Sequence, residues 1–366
     1  MKKLRHWGLL LVAAVWLGLT VFAWLHPAQA VSLSERRPLA QFPELELDKI
    51  AGGDFMEDFE SYSLDQFPAR DAFRSLKSLF HYGALGQLDN NGIYLQDGYA
   101  AKLEYPLHAT SVENAVQKFT EIYEKYLKNT DSNIWFSVVP DKGYYLAPRG
   151  GYPAMDYEGL FATVRENLPW AEHIRLTEYL NYDDYYRTDT HWRQERLLPA
   201  ARKLCQTMGV TVPQPEDYSL LALERPFYGV YYGQAMLPME PDTVTLLQSS
   251  LIDRCSVYNF ETGQTTFVYD EKKLTSDDLY DVYLSGPAAL LTVENPNAGT
   301  DRELILFRDS FGSAMAPLLL QGYGKVTLVD TRYIAPALLG TYLDFHGQDV
   351  LFLYSTLVLN NSATLK

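Results

Sequence analysis

Three side chains of this sequence form a set able to transfer an acyl group: the carboxylate of Asp189, the imidazole of His191 and the hydroxyl of Ser310. A serine hydroxyl is a poor nucleophile at neutral pH. It needs an imidazole to take its proton and a carboxylate to fix the tautomer of that imidazole. A spacing of two on an extended segment puts Asp189 and His191 on one side of the backbone, so the carboxylate reaches one ring nitrogen while the other faces the serine. Each piece alone is unspecific. An isolated Asp-x-His pair is more often a turn or cap carboxylate beside a satisfied, partly buried histidine.

The elements that must position these groups are legible as an α/β pattern. The run 303–307 (Glu-Leu-Ile-Leu-Phe) has the apolar character of a buried parallel strand, which places Ser310 just past its carboxyl end. Gly312 then opens a turn into a helix, and the backbone N–H groups of Ser310 and Phe311 are the expected donors to a developing oxyanion. Asp309 is a second carboxylate beside the nucleophile, or simply a charge that complements a helix N-terminus. Arg332 follows the predicted strand 326–329. It either neutralises an oxyanion, holds a substrate carboxylate, or makes a surface ion pair.

Apolar spacing predicts helices over 68–85, 114–127, 156–168 and 194–208, and a hairpin over 93–103. Buried strands are expected at 133–140, 174–176, 290–293, 304–307, 326–329 and 350–354. This alternation implies a mostly parallel sheet with helices on its faces. Between 210 and 288 the rhythm changes to aromatic, strand-like runs at 227–232, 255–260 and 265–269, read as a β-rich insertion beside the main sheet. Its tyrosines either stack on sugar rings or pack the insertion itself.

The segments Tyr185-Tyr186-Arg187-Thr188-Asp189-Thr190-His191-Trp192, Asn91-Gly92-Ile93-Tyr94-Leu95, Val138-Val139-Pro140-Asp141-Lys142 and Arg308-Asp309-Ser310-Phe311-Gly312 together resemble the bacterial DHHW family. The family motif Asp-His-His-Trp here reads Asp-Thr-His-Trp, a departure at Thr190 alone. That family is similar to the SGNH-hydrolase-like proteins that O-acetylate alginate, in which the Asp-x-His precedes the serine. The resemblance covers residues 50 to 366. It implies a three-layer SGNH-hydrolase-like α/β core, circularly permuted, with Ser310, His191 and Asp189 as its catalytic residues. The implied function is an acyltransferase or esterase acting on a cell-surface polysaccharide or acylated carbohydrate, with a membrane-bound acyl-donor protein as a further partner. A non-catalytic envelope protein that binds glycan or an assembly partner through the same fold is the alternative.

The N-terminus carries Lys2, Lys3 and Arg5, then an uncharged stretch from Gly8 to Leu25, then Ala28-Gln29-Ala30. The stretch is long enough to span a bilayer, and the small-x-small ending suits a cleavage site, so residues 1–30 read as a signal peptide or a membrane anchor. Either way the rest is expected outside the cytoplasm, with 31–60 as an irregular juxtamembrane segment and 61–366 as the α/β domain. Removing the three basic residues of the first thirty from the total of 31 leaves 28 against 46 acidic residues, a balance of −18. Nucleic acid is therefore not an expected partner. Cys205 and Cys255 are expected either as a disulfide or as two buried small hydrophobes. No Cys-x-x-Cys or His-Glu-x-x-His is present, so neither a metal nor another cofactor is expected.

Overall fold

The computed structural model describes residues 2–32, 34–35 and 37–366. Two compact units make up the chain: residues 1–91 with 232–238, and residues 92–231 with 239–366.

The larger unit is built on an eight-stranded sheet. Its strands in chain order are β1 (Ile134–Val139), β2 (Glu172–His173), β3 (Ser256–Asn259), β4 (Gln264–Phe267), β5 (Leu290–Glu294), β6 (Glu303–Arg308), β7 (Lys325–Val329) and β8 (Asp349–Ser355). Their spatial order is β4-β3-β5-β7-β6-β8-β1-β2. The five strands from β7 to β2 are mutually parallel, and β5, β3 and β4 extend the sheet antiparallel.

Both faces of the central strands are buried, which is why those strands read as unbroken apolar runs. Successive side chains point to opposite faces. Leu304 and Leu306 of β6, with Leu351 and Leu353 of β8, join a core that includes helices α3 (Leu198–Met208) and α4 (Phe311–Leu319). Their neighbours Ile305, Phe307, Val350 and Phe352 join a second core with helices α1 (Ala109–Ile122) and α2 (Tyr157–Asn167). Helix α1 shows why such a segment folds so: Val112, Ala115, Val116, Phe119 and Ile122 recur on one face and all are buried. The result is a three-layer α/β fold with a mostly parallel sheet.

The register aligns Phe307, Phe352 and Phe136 across three adjacent strands. Phe352 stacks on Phe307 at 4.5 Å and on Phe136 at 5.9 Å between ring centroids, and meets the edge of Trp170.

Some expectations are corrected. The run 227–232 is not a strand: Phe227 makes a single bridge to Asp242, and Val230–Ala235 is helical. The chain must turn there because the Val230 N–H donates to the Asp189 carboxylate rather than to a ladder. The strand predicted at 174–176 is displaced to Glu172–His173, with the Ile174 N–H continuing onto the Phe136 carbonyl. The strands at 256–267 form the edge of the sheet itself rather than a body beside it. Helix Lys142–Gly150, not anticipated, is capped by Asp141, whose carboxylate accepts from the Gly143 N–H at 2.7 Å. Cys205 and Cys255 are free thiols; burial pushes each up to about 12.

In the smaller unit, helix Lys2–Leu25 has a stretch, His6–Ala23, long and apolar enough to cross a membrane, and none of it is buried. The segment 31–60, expected to be irregular, contains the helix Leu47–Gly52 and most of the helix Asp54–Asp65. The helix expected over 68–85 runs from Arg70 to Leu79 and loosens into a π turn over Phe80–Ala84.

Phe352→Ala, which empties the aromatic stack at the centre of the sheet, is expected to cost about 3–5 kcal/mol. Denaturant unfolding of the variant beside the parent protein measures this; a loss below about 1 kcal/mol would mean the stack does not organise the sheet.

Candidate active site

The parallel strands all end on one edge of the sheet, and the polar residues that follow them collect there: Asp141 and Lys142 after β1, Asp309 and Ser310 after β6, Asp330 to Arg332 after β7, Thr356 after β8. This carboxyl edge is where α/β sheets present functional groups. Ser310 sits at the cap of α4 with φ −63° and ψ −23°, and is partly exposed.

The structure brings Ser310, His191 and Asp189 into one hydrogen-bonded chain. His191 Nε2 lies 2.8 Å from Ser310 Oγ, and His191 Nδ1 lies 2.6 Å from Asp189 Oδ1. The same Asp189 oxygen accepts from the His191 backbone N–H at 2.9 Å, and its other oxygen accepts from the Val230 N–H at 2.8 Å. Asp189 has no solvent exposure. A carboxylate only accepts, so the ring proton belongs on Nδ1. Nε2 is then left with its lone pair toward the serine, whose O–H donates to it.

The loop carrying Asp189 and His191 is held from several directions. The Asp242 carboxylate accepts from the backbone N–H groups of Arg187 and Thr188 and from the Thr188 hydroxyl, at 2.9, 2.8 and 2.6 Å. The Thr188 hydroxyl in turn accepts from the Gly229 N–H. Tyr185 and Trp192 bridge across the loop. The fully buried Trp192 donates its indole N–H to the Phe311 carbonyl at 3.0 Å, and Gln194 donates to the Ala314 carbonyl at 3.1 Å. Both acceptors lie on α4, the helix that Ser310 opens, so the imidazole and the hydroxyl are tied to a common element.

Tyr280 completes the surroundings of the imidazole. Its ring stacks on His191 at 3.9 Å and 10°, and its hydroxyl donates to the Ser310 carbonyl at 3.4 Å. The Phe311 ring tilts against His191 at 5.2 Å.

The remaining predicted residues take different positions. The Phe311 N–H donates to Asp309 Oδ1 at 3.0 Å, so that amide is already engaged. The other Asp309 oxygen accepts from the Ser355 N–H at 2.8 Å, and the side chain is buried. Asp309 thus ties the serine turn to the end of β8. Arg332 grips Asp330 through two parallel hydrogen bonds of 2.9 and 2.6 Å, with the Asp330 side chain wholly buried. Beneath the serine turn runs Arg308, buried, which donates to the Ser313 hydroxyl at 3.0 Å and lies 3.9 Å from Asp330. Its Nε and second terminal nitrogen have no hydrogen-bond partner, and burial lowers its pKa. Gly312 makes room for it, since a Cβ there would fall 2.6 Å from the Arg308 Cβ.

Lys142 is the least expected member of this edge. Its ammonium is buried, donates to the Tyr186 carbonyl at 2.7 Å and lies 5.1 Å from the Tyr231 ring. Desolvation lowers its pKa to about 7, against the opposing pull of Asp189, Asp242 and Asp141. No sequence pattern marks Lys142, Asp242, Gly229 or Tyr280 as functional. Only Lys142 fell within a motif segment, and none is near Asp189 or Ser310 in sequence. Among the described residues no group of three or more His, Cys, Asp or Glu side chains is arranged to hold a metal ion.

No family model matches the sequence, and no curated protein matches it. The fold is similar to that of a DHHW family protein from Eubacterium siraeum, with a TM-score of 0.61 and 22% identity over 75% of this chain and 95% of that one. It is also similar to Bacillus cereus PatB1, solved with a sulfonyl adduct (TM-score 0.59, 18% identity, 73% of this chain and 95% of that one) and without it (TM-score 0.55, 18% identity, 73% and 96%). The resemblance to the DHHW family read from the motifs therefore extends to the fold.

Gly229→Ala is expected to break the chain at its buried end, because the new Cβ would fall 2.1 Å from the Asp189 Cβ and 2.4 Å from its Cα. A downfield proton signal from the His191 Nδ1–H to Asp189 bond is expected by NMR in the parent protein and should vanish in the variant; its persistence there would show that the loop yields instead. A second expectation concerns pH. An unfolded lysine titrates near 10.5, so between about 7 and 10.5 the unfolded chain binds more protons at Lys142 than the folded one, and this group makes stability rise with pH. Against Lys142→Met, the parent protein should gain a few kcal/mol between pH 6.5 and 9.5 in denaturant unfolding. A constant difference would mean the ammonium is not desolvated.

Proposed function

We propose that this protein is an extracytoplasmic serine acyltransferase or esterase that acts on the acyl groups of a cell-surface polysaccharide, with Ser310 as nucleophile. The observation that carries this reading is the continuous path from Asp189 through His191 to Ser310, 2.6 and 2.8 Å, at the carboxyl edge of the sheet. Ser310 Oγ attacks the acyl carbonyl carbon while Nε2 of His191 takes its proton. The imidazolium that forms is stabilised by Asp189, which stays ionised. As the tetrahedral intermediate collapses, the bond to the donor oxygen breaks and His191 returns the proton to it. This leaves an acyl ester on Ser310, which water or a sugar hydroxyl then removes by the same steps in reverse.

The developing oxyanion needs backbone donors. With the Phe311 amide held by Asp309, the Ser310 amide is the donor on this turn. PatB1, a neighbour in fold, has been solved with a sulfonyl adduct, and sulfonylation is a reaction that an activated hydroxyl undergoes. The N-terminal helix supports this location: Lys2, Lys3 and Arg5 precede the apolar stretch, which suits an anchor whose following chain lies outside the cytoplasm. An acyl-donor protein in the membrane is the matching partner for the transferase form of the reaction.

The purified full chain is expected to release nitrophenol from nitrophenyl acetate, since generic acyl transfer needs the hydrogen-bonded chain and oxyanion donors but little substrate recognition. Ser310→Ala and His191→Ala should each lower the rate about a thousandfold or more. A Ser310→Ala rate near that of the parent would sink the mechanism, and a silent parent whose glycan binding survives Ser310→Ala would make the protein a binding module. With oligosaccharides added, an acetylated sugar in the mass spectrum identifies a transferase and free acetate alone an esterase.

A further inference from the structure

A helix at an aqueous protein surface turns its apolar stripe to the core and its polar side to water. Helix Arg70–Leu79 of the smaller unit does the reverse. Its polar side is fastened inward: Arg74 donates to the Gly233 carbonyl at 2.7 Å and pairs with Glu35 at 3.0 Å. The buried Ser78 donates to the Ala235 carbonyl, which also accepts from Asn90 at 2.9 Å. These contacts set the rotation of the helix about its axis. The opposite arc carries Phe73, Leu76 and Leu79 and continues with Phe80 at the start of the π turn; their exposures are 47%, 61%, 49% and 55%. At helical spacing these four form one contiguous stripe, and leaving it in water forfeits the free energy that burying apolar surface supplies.

The connection of this helix to the rest of its unit indicates what covers the stripe. The apolar helix Lys2–Leu25, unburied throughout its 6–23 stretch, ends four residues before Gln29. Gln29 and Gln66 are joined by reciprocal hydrogen bonds: the Gln29 N–H donates to the Gln66 side-chain oxygen, and the Gln66 amide donates back to the Gln29 carbonyl, each at 2.9 Å. Arg37 and Asp65 add a two-pronged ion pair at 2.8 and 2.6 Å. Gln66 is four residues before Arg70. The end of the apolar helix and the start of the inverted helix are therefore stapled together within one compact unit.

We infer that the stripe of Phe73, Leu76, Leu79 and Phe80 rests in the interfacial layer of the lipid bilayer crossed by helix Lys2–Leu25. The apolar burial of an interfacial helix then supplements the anchor. This rests on the anchor reading given above. The lipid need not be anionic: the neighbouring helix Asp54–Asp65 contributes Asp54, Glu57, Asp58 and Glu60, and Arg70 and Arg74 are already paired with Glu35. Contact is by apolar surface and should persist at high salt, unlike the attachment of a polybasic segment.

The test uses the full chain in phosphatidylcholine nanodiscs, with nitroxides placed singly at Leu76→Cys on the stripe, at Leu11→Cys in the spanning helix and at Asp71→Cys, exposed but away from the stripe. The parent protein is the labelling blank, since Cys205 and Cys255 are buried. Power saturation should show the labels at 76 and 11 several-fold more accessible to oxygen than to an aqueous nickel chelate, with the reverse at 71, unchanged in 1 M salt. A label at 11 in lipid with 76 in water would overturn the inference and leave the anchor standing. Water accessibility at 11 would overturn the anchor reading itself. Spin–spin broadening between two chains at 76 would mean that a second copy covers the stripe, which also overturns the inference.

Discussion

A carboxylate with no access to water must have its charge met by hydrogen bonds or it will not stay ionised, and Asp189 is such a group. Both of its oxygens are occupied, one by the ring and backbone of His191 and the other by the Val230 amide. Much of the local architecture follows from that need. The Val230 amide can reach Asp189 only because the chain at Gly229 passes closer than any side chain allows. Gly229 is in turn placed by the Thr188 hydroxyl, which the Asp242 carboxylate fixes while also gathering the amides of Arg187 and Thr188. The nearby buried ammonium of Lys142 is held by the Tyr186 carbonyl of the same loop and attracted by Asp189 and Asp242. Whichever protonation state Lys142 takes, it fastens the backbone that delivers Asp189, so charge and geometry at this end of the site are set by one cluster.

The serine end depends on a different arrangement. Asp309 bridges two backbone amides, Phe311 on its own turn and Ser355 at the end of the adjacent strand, and so sets where the turn sits on the sheet. Its cost is that one of the two amides expected to face an oxyanion is already used. Below it, two guanidiniums, Arg308 and Arg332, share the neighbourhood of Asp330, and Arg332 takes the two-pronged pairing. Arg308 is left with two nitrogens lacking acceptors in a buried place. An under-satisfied buried cation is costly, and the hydrogen bond from Arg308 to the Ser313 hydroxyl couples that cation to the first turn of the helix that Ser310 opens.

How far the sequence revealed this can be judged from particular residues. Asp189, His191 and Ser310 were legible because their types suit one chemistry and each lies beside a recognisable element. The strands that carry the site were legible because both their faces are buried, which makes them continuous apolar runs. The run 227–232 misled for a physical reason: its aromatic composition suits a strand, but the requirement of Asp189 for an amide donor bends the chain into a helix at Val230. Asp242 and Tyr280 act on residues dozens of positions away, and no local pattern marks such contacts. The inverted helix at 70–79 was legible as amphipathic, but periodicity alone does not say which side the protein keeps.

The departure of the motif from Asp-His-His-Trp can be weighed in the same terms. Asp189 and His191 form the hydrogen-bonded chain to Ser310, and Trp192 locks the loop to the helix that Ser310 opens. Position 190 is engaged elsewhere: the Thr190 hydroxyl accepts from the Tyr231 hydroxyl at 3.1 Å. A histidine there would add a second titratable group near Tyr231 and Lys142, whose ammonium lies 5.1 Å from the same ring. Threonine supplies a hydrogen-bond acceptor without adding charge beside a buried cation. Threonine at this position leaves the hydrogen-bonded chain from Asp189 through His191 to Ser310 intact, because its own hydroxyl is engaged by Tyr231 instead.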